Sequence, residues 1–175
     1  MDDAEVRLGG DQYIEVHRFA PPALVITVAL ALGLQAFLPA HFAWARYLEL
    51  PLLVTIYFAL SRRNVSMGMF LGMTIGLLQD SLSHTPIGLY GIAKTLVGYV
   101  ASSIGARIDV DHWISRFLLT IVFFHFHHAV FALTRLLLLG QHEPFMTVPL
   151  LIASLVNGVL TLGLFPLLDL LRRRS

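Results

Sequence analysis

The chain contains no cysteine, a single lysine (Lys94), and only 13% charged residues in 175 positions. Without cysteine there is no disulfide, no thiolate nucleophile and no cysteine metal ligand. The formal net charge is +1 and the cations are dispersed, which does not suit nucleic acid binding. Soluble domains carry roughly 25% charged residues. A chain that is 57% hydrophobic at this size has too much apolar surface for a water-soluble core. Several apolar runs approach the length that crosses a bilayer. The composition therefore points to an integral membrane protein with one compact domain.

The runs are continuous rather than alternating, so they predict helices and not a β-barrel. Six spans are expected, over about 20–38 (ending at Pro39), 48–60, 65–79, 87–104, 114–139 and 147–168. The second is short for a span and is expected to be tilted, to thin the bilayer locally, or to be shielded by its neighbours. Residues 1–18 read as a polar cytoplasmic tail, 19–170 as a six-helix transmembrane domain and 171–175 as a basic cytoplasmic end. No cleavable signal peptide is apparent, so the first span is expected to act as its own membrane signal. No internal repeat supports an inverted-repeat transporter plan.

Arginine placement sets the orientation. With the N-terminus inside, Arg7, Arg18, Arg62, Arg63, Arg107, Arg116, Arg172, Arg173 and Arg174 fall on the cytoplasmic side. Only Arg46 falls in an outer loop, while Lys94 and Arg135 lie within spans. Both termini are therefore expected in the cytoplasm. Arg172, Arg173 and Arg174 are expected at anionic headgroups, adding about 1 kcal/mol each near the surface. Arg62 and Arg63 serve the same topological role.

The segment "LLQDSLSHTPIGLYGIAKTLVGY" places an acid, Asp80, and Lys94 among apolar residues. Thr85-Pro86 reads as a helix start, with Thr85 as cap. Lys94 then lies roughly 10–12 Å along the fourth helix, where a lysine costs about 2.5–3.5 kcal/mol on insertion scales. Its side chain leans toward the helix N-terminus, toward Asp80. The expectation is that Asp80 and Lys94 meet in an outward-facing polar place between the third and fourth helices. Such a pair clamps the helices together, or lines a pocket for a ligand or partner segment.

Gly68, Gly72 and Gly76 recur every four residues before Asp80, and Gly91, Gly98 and Gly105 recur every seven. Small residues at such spacings admit a neighbouring helix backbone, either within the bundle or from a partner's transmembrane helix. In "FFHFHH", His125 and His128 share a face and His127 does not. Arg135, seven beyond His128, would repel a divalent ion, and no acid in that span completes a ligand set. Interhelical hydrogen bonding is the expected role of these histidines and of Asn157. Asp109 and Asp111 read as a solvated loop. Ser81, Ser83 and His84 crowd near Asp80 without defining a catalytic triad.

The stretch "GLLQDSLSHTPIGLYGIAKTLVGYVASSIG" resembles the signature region of the MreD family, rod-shape-determining membrane proteins of bacteria, through Gly76, Asp80, Pro86, Gly88, Gly98 and Tyr99. The short second span, the "SRRN" break and the C-terminal arginines fit the same layout. The long N-terminal tail and "FFHFHH" fall outside that pattern. The resemblance implies a non-enzymatic scaffold of the elongation machinery in the bacterial inner membrane, without a cofactor or metal. It implies as partners an MreC-like single-span periplasmic protein, a RodA-type glycosyltransferase with its penicillin-binding transpeptidase, and MreB. It also implies a fold similar to the six-helix substrate-binding subunits of energy-coupling-factor transporters. The alternative function is a small-molecule-binding subunit of a transporter, with Asp80, Lys94 and Asn157 lining the site.

Overall fold

The computed structural model describes residues 21–105, 112–144 and 146–171. The tail expected over 1–18, the Asp109–Asp111 loop and Arg172, Arg173 and Arg174 lie outside them. The described chain forms α1 (Pro21–His41), a 3-10 turn (Ala43–Tyr47), α2 (Leu50–Arg62), α3 (Val65–Leu82), α4 (Leu89–Gly105), α5 (Trp113–Leu139) and α6 (Val148–Asp169). This is an all-α bundle of six helices.

Four of these helices, α1, α3, α5 and α6, are long and apolar enough to cross a membrane. Their outward faces carry large apolar side chains, among them Val25, Phe70, Val122, Leu137 and Val159. In water such a surface would be a strong association liability; in lipid it is the expected exterior. The protein is a multi-pass membrane protein.

The short second span resolves into a helix shielded by its neighbours. At 13 residues, α2 is about 20 Å long against a hydrocarbon core of about 30 Å. Every residue from Pro51 to Ser61 is buried, as expected of a helix that is apolar all round. Its Tyr57 and Phe58 join Phe123, Phe124 and Phe165 in the buried core of the bundle.

Two expected boundaries move. Pro39 does not end the first span, because α1 runs on to His41. The fourth helix starts at Leu89 rather than at Thr85-Pro86, for a reason given below.

The glycine column of α3 is consumed inside the bundle. A Cβ at Gly72 would fall on the Lys94 carbonyl, one at Gly76 on the Tyr90 carbonyl, and one at Gly68 on Ser102. Reciprocally, a Cβ at Gly98 would meet the Gly68 carbonyl, and one at Gly105 the Leu60 carbonyl of α2. Backbone contact of this kind locks α3 on α4. The column is thus not open to a partner's helix, which removes that reading for Gly68, Gly72, Gly76 and Gly98.

Candidate functional site

Asp80 is completely buried at the end of α3 and organises the turn into α4. Its Oδ1 accepts from Thr85 Oγ1 at 3.0 Å and from the Tyr90 N–H at 3.0 Å. Its Oδ2 accepts from the Gly88 N–H at 2.9 Å and the Gly91 N–H at 3.1 Å. A carboxylate from one helix therefore caps the next, satisfying backbone donors that have no partner within their own helix. Thr85 is a donor to this cap and not the cap itself, which is why the helix starts later than its sequence suggests. Pro86 closes a turn with Leu89, and Gly88 sits at φ 108°, a conformation side-chain-bearing residues rarely adopt. Gly91 lets α4 approach the Leu77 side chain and the Asp80 carboxylate.

Asp80 and Lys94 do not pair. Lys94 is completely buried, and among the described residues its ion-pair partner is Glu49, with Nζ to Oε2 at 4.0 Å. Nζ also contacts His127 Nε2 at 3.2 Å and lies 4.7 Å from the centre of the Tyr90 ring. That ring stacks on Phe131 at 4.6 Å and lies nearly parallel to the His127 imidazole at 5.9 Å. The cluster thus joins the α2 start, α4 and α5. The physical reason for the missed pairing is that the Asp80 oxygens are already saturated by backbone and hydroxyl donors.

Two amides hold Glu49 in place. Asn157 Oδ1 accepts from the Glu49 N–H at 2.9 Å, and its Nδ2 donates to the carbonyls of Tyr47 and Ala153 at 2.6 and 2.8 Å. From the other side, Gln35 Oε1 accepts from the Leu50 N–H at 3.0 Å and Nε2 donates to the Leu48 carbonyl at 2.9 Å. Glu49 occupies the N-cap position of α2, yet its side chain makes no capping bond. The amides take over the capping, and the carboxylate reaches Lys94 instead. Asn157 is the tenth residue of α6, so the start of α2 lies roughly 13 Å below the start of α6.

A second polar cluster marks the opposite end of the bundle. Arg116 donates to Asp169 Oδ2 at 2.7 Å, Tyr57 Oη donates to Asp169 Oδ1 at 2.9 Å, and the guanidinium lies 5.9 Å from the Phe165 ring centre. Arg62 and Arg63 end α2 on this side. Of the three histidines, His127 makes the expected interhelical bond, while His128 Nδ1 stays on its own helix with the Phe124 carbonyl at 3.0 Å. Arg135 pairs with Glu143 and donates to Gln141 at 2.9 Å. Beside it runs a shallow, open groove of about 290 Å³, lined by Ala129, Ala132, Leu133, Leu136, His142 and Glu143. Among the described residues no three His, Asp or Glu side chains gather as metal ligands would.

The model of the family described as rod shape-determining protein MreD matches residues 17–174. The chain belongs to the MreD family. No curated protein and no solved structure matches it. Membership makes this MreD-family protein a rod-shape-determining membrane protein, in agreement with the resemblance carried by residues 76–105.

Of the residues that carried the resemblance, Asp80, Pro86 and Gly88 belong together as one turn, which the Gly91 N–H joins. Lys94 and Asn157 belong to the Glu49 cluster instead, linked through the Asn157 bond to the Glu49 backbone. Glu49, Gln35 and Tyr90 were not foreseen. Glu49 carried a readable signal: it is the one acid between Glu15 and Asp80, two residues before Pro51. Gln35 is likewise the single polar amide in the first run. Nothing in the pattern of Tyr90 distinguishes it from an ordinary interfacial aromatic.

Proposed function

We propose that this protein is a non-enzymatic scaffold of the elongation complex, binding an MreC-like single-span periplasmic protein and supporting lateral peptidoglycan synthesis. The observation that carries the reading is the family match over nearly the whole chain. The bundle interior favours it over chemistry or transport. The side chains expected to line a ligand pocket are each engaged by other groups of the protein: Asp80 caps α4, Lys94 meets Glu49 and His127, and Asn157 holds the α2 start. A partner would therefore be met by the outward apolar faces and the turns at the helix ends, not by an internal cavity.

On this reading the protein lies in the inner membrane with both termini in the cytoplasm. Arg62, Arg63 and Arg116 cluster at one end of the bundle, and Arg46 lies at the other. That asymmetry favours the first end as cytoplasmic. The Asp80 turn and the Ala43–Tyr47 turn then face the periplasm, where a single-span partner carries its bulk. The RodA-type glycosyltransferase, its transpeptidase and MreB join through that assembly.

The test is recovery of tagged protein from mild detergent, with identification of what stays bound. Stoichiometric recovery of a single-span periplasmic protein or wall-synthesis enzymes is expected. Recovery of an ATPase pair together with a vitamin-sized molecule overturns the scaffold and establishes the transport alternative.

A further inference from the structure

The groove beside Arg135 has a polar mouth and an apolar wall. Gly140 ends α5 at φ 64°, and the chain then turns so that Glu143 meets Arg135, eight residues earlier. Arg135 Nε donates to Gln141 at 2.9 Å and one terminal nitrogen donates to Glu143. Among the described residues, the remaining terminal nitrogen has no acceptor. Both charges stay open to their surroundings, with the Arg135 side chain 33% and the Glu143 side chain 39% exposed. His142 completes the rim. The rest of the lining is hydrocarbon, from Ala129, Ala132, Leu133 and Leu136.

The length of α5 sets these features against the bilayer. Trp113 opens the helix and is 62% exposed, as suits the aromatic belt at a membrane interface. Arg135 follows roughly 33 Å along the axis, against a hydrocarbon core of about 30 Å. The ion pair therefore lies at headgroup level in the leaflet at the Gly140 end, with Ala129 roughly 9 Å deeper. A groove of about 290 Å³, spread over the roughly 10 Å from Ala129 to Leu136, is only about 5 Å across. A helix with its side chains is about 10–12 Å across. The groove is too narrow for a partner's helix and suits a single hydrocarbon chain.

We propose that this groove binds one phospholipid with a zwitterionic amine headgroup, of the phosphatidylethanolamine class. The lipid phosphate takes the remaining terminal nitrogen of Arg135, a charge-assisted contact to which a guanidinium is well matched. The lipid ammonium takes the second carboxylate oxygen of Glu143. One acyl chain runs down past Leu136 and Ala132 to Ala129, where the two alanines leave it room. The mouth carries one charge of each sign, and the headgroup lies against it with opposite polarity. An anionic lipid without an amine brings a second negative charge to Glu143 and nothing to neutralise it.

The experiment is native mass spectrometry of the full chain in mild detergent, titrated with dioleoyl phosphatidylethanolamine or dioleoyl phosphatidylglycerol. A single ethanolamine lipid is expected to stay bound, retained about fivefold better than the glycerol lipid. Glu143→Gln should bring the two lipids within about twofold of each other. Ala132→Phe fills the groove, leaves the charged pair in place and should release both. These positions lie on the outward side of the bundle, and circular dichroism reports that each variant keeps its helices. Equal retention of the two lipids by the native chain, as an unselective annular lipid would show, overturns the proposal. So does retention unchanged in Ala132→Phe, or a preference that survives Glu143→Gln.

Discussion

The replacement of Asp80 by Glu49 as the partner of Lys94 makes a quantitative prediction. At 4.0 Å and an effective dielectric constant near 20, opposite unit charges attract by about 4 kcal/mol. The partial exposure of Glu49 trims this, so a coupling of about 2–3 kcal/mol is expected in a double-mutant cycle of Lys94→Met and Glu49→Gln. Each single change strands a buried or half-buried charge and should cost about 3–5 kcal/mol; the double variant should be much more stable than their sum. The cycle of Lys94→Met with Asp80→Asn should couple by less than ~1 kcal/mol, because the Asp80 carboxylate is held by its own donors. The assay is reversible unfolding in bicelles, with steric trapping to read the free energy. Additivity of the Glu49 and Lys94 changes within ~0.5 kcal/mol, or stronger coupling to Asp80 than to Glu49, refutes the assignment.

Four further outcomes follow from the same geometry. Asp80→Ala removes the acceptor of three N–H groups and one hydroxyl and should destabilise by about 3–5 kcal/mol, with Asp80→Asn milder, as read by thermal unfolding in detergent. Gly72→Ala and Gly76→Ala force α3 off the α4 backbone and should each cost at least about 1–3 kcal/mol, whereas Gly33→Ala, which meets nothing within 4 Å, should be neutral or slightly stabilising. Asn157→Ala frees the α2 start; hydrogen exchange should speed up at Glu49 more than at Leu60, and a uniform change would contradict the local clamp. Arg116→Met should be rescued in part by Asp169→Asn, measured as folded yield, because the pair at the far end is mutually neutralising.

The layout of this bundle was legible because lipid demands continuous apolar runs and the runs survive in the sequence. A close backbone approach along α3 was legible too, from the spacing of Gly68, Gly72 and Gly76, but that the neighbour is α4 and not a partner's helix was not. The pairing of charges was not. Sequence proximity and side-chain lean both pointed Lys94 at Asp80, and both were sound local arguments. What decided the matter is tertiary: the first turn of α4 offers the N–H groups of Gly88, Tyr90 and Gly91 to the same carboxylate. Those donors are fixed and saturate both oxygens. Lys94 is left to find a counter-ion from an element 45 residues earlier, which no local pattern announces.

The same reasoning separates the two ends of the bundle. At the Arg116 end, the ion pair has a 2.7 Å contact and a tyrosine hydroxyl completing it. Near the Ala43–Tyr47 turn, the pair stands at 4.0 Å with orphaned atoms on either side. A bundle that needed only stability would gain from closing that gap or replacing it with apolar side chains. Keeping a loose ion pair beneath a turn clamped by Gln35 and Asn157 ties the position of that turn to the contact between Glu49 and Lys94. On the proposed topology this is the periplasmic face, where the single-span partner would dock. A docking surface whose support depends on one carboxylate is therefore the place to look for control of the complex.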